Sequence, residues 1–148
     1  MAPKTTTISV TFNRFPEIAA ALPEKTDIVV RKTAFDIEGH AKMRAAVDSG
    51  ALKGSIYVTL GSGESTYGQA VADALSANPS AGILPAAPKP PEHEAVIGPS
   101  VEYGVHVEYG TSRMSAQPFM TPAAETLRPA FTAAMKQMLK EVCEREGR

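Results

Sequence analysis

The sequence predicts an α+β fold, a small antiparallel β-sheet packed with a long helix in the N-terminal half and a second helix at the C-terminus. A long Pro/Ala-rich loop interrupts it. Three observations lead there. Apolar residues recur at helical spacing over 30–45 and again over 127–142; short stretches at 8–12, 56–60 and 101–109 alternate apolar with polar; and 78–91 reads NPSAGILPAAPKPP. At 148 residues, 43% apolar and 21% charged, the chain has the size and composition of one folded domain, residues 1–148.

Ile8, Val10 and Phe12 alternate with Ser9 and Thr11, the period-2 pattern of a half-buried strand. Asn13 to Leu22 reads as a transition, with Pro16 suited to a first helical position. From about Pro23 to Val47 a helix is expected. Val30, Ala34, Ile37, Ala41 and Ala45 form its stripe, and Glu38 with Lys42 makes an i,i+4 pair. Asp48-Ser49-Gly50 should stop it, since Gly50 is free to take positive φ.

Ser55 to Leu60 is the next strand, with Ile56, Val58 and Leu60 on one face. Residues 61–94 read as an insertion, a projecting arm or loop with a short helix over Gly68–Leu75, because closely spaced prolines cannot join a central sheet. Ala95 to Ile97 is a short strand ending at Gly98-Pro99. Val101 to Tyr109 looks like the best strand in the protein, with Val101, Tyr103, Val105, Val107 and Tyr109 on one face and Glu102, Gly104, His106 and Glu108 on the other. The last helix should open with Thr121 as N-cap, Pro122 at its first position and Glu125 in its first turn. Leu127, Phe131, Ala134, Met135, Met138 and Val142 form its stripe, and Pro129 should bend it or delay its start.

Reactive chemistry is sparse. The single Cys143 excludes an internal disulfide framework and reads as a buried, inert thiol. No apolar run is long enough for a membrane span, and the N-terminal stretch has no apolar core of signal-peptide length. His40 one turn after Asp36 reads as a surface pair, and His93 between Glu92 and Glu94 lacks the scaffold a metal site needs. Gly61-Ser62-Gly63-Glu64-Ser65 lacks the Gly-Lys-Ser/Thr of a phosphate loop. Nine aromatics without tryptophan, not interleaved with Lys or Arg, give no base-stacking platform. No grouping of acid, base and nucleophile stands out, so neither catalysis nor a cofactor is expected.

Charge is unevenly placed. Residues 1–53 and 113–148 each carry a net +2, whereas 54–112 carry −5, with Lys89 the only cation there. Solvated loops and an exposed sheet face account for this plainly; a surface that repels a polyanion or meets basic partners is the sharper reading.

Three segments together resemble one family. The helix-to-strand junction Asp48-Ser49-Gly50-Ala51-Leu52-Lys53-Gly54-Ser55-Ile56 is similar to a "(T/S)GALxxSI" pattern. Tyr103-Gly104-Val105-His106-Val107-Glu108-Tyr109-Gly110-Thr111 is similar to "YAxxVExGT", and Ser115-Ala116-Gln117-Pro118-Phe119-Met120-Thr121-Pro122-Ala123 to "AxPFxxPA". In this order they resemble the small tail-component proteins of lambdoid siphophages, also described as tail-completion, neck or head–tail joining proteins. The match covers roughly 23–60 and 95–143. Gly50, Leu52, Tyr103, Glu108, Gly110, Thr111, Pro118, Phe119 and Pro122 carry it as residues of fold and assembly. Gly110 lets the strand leave the sheet, Thr111 can bond local backbone, and Phe119 is an apolar anchor below the final helix.

The resemblance implies a structural virion protein without catalytic activity. It would be a homo-oligomeric ring, with a hexamer expected, at the head-proximal end of the tail, assembled in the host cytoplasm. Its partners would be tail-tube or terminator proteins and head-connector proteins, with DNA passing through non-specifically and no membrane involved. Glu102 and Glu108 could then line the lumen and repel phosphate. A tail terminator or another minor tail ring is the neighbouring alternative; a host-directed binding adaptor or a small enzyme using His106 and Glu108 are the rivals from other classes.

Overall fold

In the computed structural model, residues 14–146 are described. The strand expected over Ile8–Phe12 lies outside them. Seven elements follow in order: α1 (Phe15–Arg44), α2 (Ala51–Ser55), β1 (Ile56–Leu60), α3 (Tyr67–Ala77), β2 (Ala95–Pro99), α4 (Gly104–Tyr109) and α5 (Met120–Glu146). The α+β class is as the sequence predicts: a small antiparallel sheet flanked by a long N-terminal-half helix and a C-terminal helix.

Helix α1 is longer at its start than the apolar stripe indicates. Pro16 falls in its first turn, where a missing N–H costs nothing, and Pro23 is carried inside. Ala34, Ala41 and Ala45 of the stripe are buried, and Lys42 Nζ lies 2.7 Å from Glu38 Oε1. The helix ends at Arg44, before the expected stop. Ala45 turns to extended backbone, its N–H bonded to the Ala41 carbonyl at 2.8 Å. Gly50 does take positive φ (88°), but it leads into α2 and does not end α1.

β1 and β2 pair antiparallel, with Ile56 opposite Pro99, Val58 opposite Ile97 and Leu60 opposite Ala95. Ile56, Val58 and Leu60 share a face as the alternation requires. Tyr57 and Thr59, on the other face, are buried as well. They are covered by the segment read as an arm. Residues 61–94 hold α3, with Ala70 and Ala74 buried, and then run back over the sheet: the Ala87 N–H donates to Tyr57 Oη at 2.9 Å, and Leu84 N–H to the Ser100 carbonyl at 2.7 Å. Tyr57 and Tyr67 meet edge to face at 5.1 Å. In this structure the segment is a lid over one sheet face.

The largest departure from expectation is at 101–109, where there is no long strand. Val101 makes one isolated bridge with Ile83, and Gly104–Tyr109 is helical. The residues that alternate also contain a helical stripe. Val101, Gly104 and Glu108, spaced three and four apart, are buried, while Val105 and Tyr109 stand 52% and 75% exposed. Strand propensity of the valines and tyrosines is outweighed by what the fold places at 104 and 108. A Cβ at Gly104 would come within 2.6 Å of Pro99 Cγ, so α4 lies against the end of β2 through that glycine.

Helix α5 runs unbroken through Pro129 beside α1, with Ala123, Met138 and Val142 buried and Leu127, Phe131, Ala134 and Met135 half-buried. The core gathers Ala41, Leu52, Ile56, Val101, Phe119 and Ala123. A second cluster of Ala34, Val58 and Leu60 lies between α1 and the sheet. Cys143, next to Val142 but about 100° further round the helix, is exposed, contrary to the expected buried thiol.

Candidate functional site

The motif residues converge on one junction, built around Glu108. Its Oε2 accepts the N–H of Phe119 at 2.7 Å and of Met120 at 2.9 Å, and its Oε1 accepts the N–H of Thr121 at 2.9 Å. These are the donors that a helix start leaves without partners, and the next residue, Pro122, has none to offer. One carboxylate thus satisfies the start of α5. Burial pushes the Glu108 carboxyl up, but the hydrogen bonds from the Thr121 hydroxyl and the three backbone N–H groups hold it below the usual carboxylate range. The positive end of the helix dipole favours the same ionised form.

This overturns three expectations. Thr121 is not the N-cap, because α5 starts at Met120 and Glu108 reaches across from α4 to do that work. Glu108 is also buried, 7% exposed, with three backbone partners, so it is no carboxylate presented to a lumen. It does not share a face with His106 either. Two residues apart on a helix they point about 160° away from each other, and His106 is exposed. The pairing needed for a His106–Glu108 catalytic site is gone.

The other motif residues support the same knot. Gly110 caps α4 at φ 75°, its N–H on the His106 carbonyl at 2.8 Å, and a Cβ there would meet the Ala116 nitrogen at 2.7 Å. Thr111 Oγ1 accepts the Arg113 N–H at 3.2 Å, as its position after the glycine predicts. Gln117 N–H donates to the Val107 carbonyl at 2.8 Å, which straps the turn to α4. Phe119 is fully buried, and Pro118 is exposed beside it. From the first motif, Leu52 is 3% exposed and lies against Gly104. Its backbone bonds the half-buried Tyr103 phenol, whose pKa burial raises. Leu52, Gly104, Glu108 and Phe119 therefore link all three motifs.

Elsewhere the charges resolve into local pairs. Arg31 forms a two-pronged bridge to Glu64, at 3.0 Å from Nε and 2.7 Å from Nη2, and also sits 5.0 Å from the Phe35 ring centre. That bidentate hydrogen bonding holds the exposed Glu64 carboxyl below its ordinary range. Asp36 pairs with Lys32 at 2.6 Å and not with His40. His93, at φ 64°, bonds Asp27 through Nδ1 at 2.8 Å. Glu102 remains exposed, its carboxylate close against Gly82. Among the described residues no three His, Cys, Asp or Glu side chains are grouped to hold a metal ion, and no helix is long and apolar enough to cross a membrane.

An apolar groove of about 360 Å³ between α1, β2 and α5 was not apparent from the sequence. Val30, Ala34, Ile37, Ile97, Leu127 and Phe131 line it. The two helical stripes together were the available signal, since each is wider than the contact between the helices consumes. Comparison of the chain with protein-family models, curated proteins and solved structures finds no match.

Proposed function

We propose that this chain is a structural assembly subunit without catalytic function, a ring-forming protein of the tail-completion or head–tail joining kind. The observation that carries the reading is the Glu108 junction. The three segments that resemble such proteins meet in one packed knot, and their polar residues are spent on backbone hydrogen bonds. A chain whose distinctive residues specify a shape suits a role in which shape is the function. Exposed Ile28, Met43, Val47, Val105, Tyr109 and Leu139 supply apolar surface for neighbouring subunits or tiers.

On this reading the chain is a homo-oligomer, with a hexamer expected, in the neck or upper tail of a virion. It contacts tail-tube or terminator and head-connector proteins and lets DNA pass without sequence readout. The acidic middle third retains Glu92, Glu94 and Glu102 as exposed carboxylates for repelling phosphate.

Two measurements test it. Light scattering and negative-stain imaging of the purified chain should show closed rings, and a monomer at tens of micromolar would overturn the reading. An early stop codon in a phage or prophage carrying the gene should yield full heads beside unattached tails, or tails of abnormal length. Intact infectious particles would instead favour a host-directed adaptor.

A further inference from the structure

We propose that residues 8–12 of one copy of this chain add as a strand to the outer edge of β2 in the next copy, with Ile8, Val10 and Phe12 filling that copy's α1–β2–α5 groove. The inference rests on the ring reading for the presence of a neighbouring copy.

The edge is defined by the ladder. Gly61 N–H bonds the Glu94 carbonyl, and Ser100 N–H bonds the Ser55 carbonyl. In an antiparallel pair the bonded positions recur every second residue, so Val96 and Gly98 face β1. The N–H and C=O groups of Ala95 and Ile97 then point the other way. The far edge of β1 is already occupied, by Thr66 N–H on the Val58 carbonyl and Leu60 N–H on the Glu64 carbonyl. Beyond β2 the sheet has no further strand among the described residues, and Ala95–Pro99 are only half-buried. Such an edge is a template for another strand.

The groove lies on the side such a strand would fill. Ala95 and Ile97 point to the α1 face of the sheet, where they pack with Ala34, Val58 and Leu60. A strand laid beside β2 sends every second side chain to that same face, over Val30, Ile37, Leu127 and Phe131. Ile8, Val10 and Phe12 have the matching period, with the polar Ser9 and Thr11 between them. Residues 1–13 carry Lys4 and no carboxylate, whereas Glu92 and Glu94 precede β2.

Reach decides between the chain's own segment and a neighbour's. From Phe15 to Val30 is 15 helical steps, about 22 Å along α1, and to Ile37 about 33 Å. Doubling back from Arg14, an extended chain brings Ile8 at most about 20 Å along, Val10 about 13 Å and Phe12 about 7 Å. Val10 and Phe12 fall short of the groove in their own subunit, and Ile8 reaches no further than its near end by His93, so the segment cannot lie along it there. A neighbour has no such limit, and head-to-tail strand donation gives a ring when the rotation between copies closes.

The test uses the full chain with Cys143→Ser and Val10→Cys, combined in turn with Ala95→Cys and Ile97→Cys. After mild oxidation, a ladder of covalent dimers and larger species on a non-reducing gel is expected from at least one pair. A fast-migrating, internally linked monomer would overturn the proposal. Rings without a ladder from either pair would overturn it while leaving the ring reading intact, and a parent chain that is monomeric would overturn both. Hydrogen exchange gives an independent readout without engineered cysteines. The Ala95 and Ile97 amides should exchange at least about tenfold faster once residues 1–12 are deleted. Fast exchange at both in the assembled full chain would equally overturn it.

Discussion

The Glu108 carboxylate accepts the Phe119 backbone N–H at 2.7 Å, across eleven residues of sequence, and so joins the end of α4 to the start of α5. Phe119 is fully buried in the main core at the same point. Capping and packing are thus set by one short connection, and its strength is measurable from either side.

Glu108→Ala leaves the N–H groups of Phe119, Met120 and Thr121 without their acceptor and should cost about 2–4 kcal/mol in urea unfolding. Glu108→Gln keeps one oxygen acceptor and should cost less. His106→Ala, on the exposed side of the same helix, should stay within about 0.5 kcal/mol. Equal losses at 106 and 108 would contradict the capping role.

Acid should weaken the same link. Because folding lowers the Glu108 pKa, the native state sheds that proton more readily than the unfolded chain does. Its contribution is therefore complete above the ordinary glutamate range, about pH 4.3 in the unfolded chain, and is lost as pH falls through the lower folded value. Urea midpoints of the parent and Glu108→Gln, compared from pH 7 down to 3, should converge at the acid end. A constant gap would count against the ionised clamp.

Phe119→Ala should destabilise by about 3–5 kcal/mol, the cost of a large cavity where the side chain is wholly enclosed. A loss below about 1 kcal/mol in denaturant titration would be incompatible with that burial.

Two glycine-to-alanine changes should move stability in opposite directions. At Gly110 a methyl group faces a positive φ and the Ala116 nitrogen at 2.7 Å, so the variant should unfold at lower temperature. At Gly39, inside α1 with nothing within 4 Å of the new Cβ, it should gain about 0.5–1 kcal/mol from helix propensity. Calorimetric melting of the pair reads both signs.

The elements that sequence alone revealed are those whose signal is local. The α1 stripe through Ala34 and Ala41, the Ile56–Leu60 strand, the short helix near 68–75, and the α5 stripe ending at Met138 and Val142 follow from side-chain period. The Glu38–Lys42 bridge, the Thr111 turn and the buried Phe119 follow from spacing over a few residues. Tertiary structure alone decided the rest. A segment that alternates over Val101–Tyr109 also carries a three-and-four spacing. Choosing helix over strand depends on Pro99 lying against Gly104 and the start of α5 lying against Glu108. Gly50's place before α2, the packing of 61–94 over Tyr57 and the exposure of Cys143 depend likewise on what lies opposite. Period and propensity act within a few residues of the chain, whereas caps from distant carboxylates and steric limits at glycines exist only once the folded backbone brings them together.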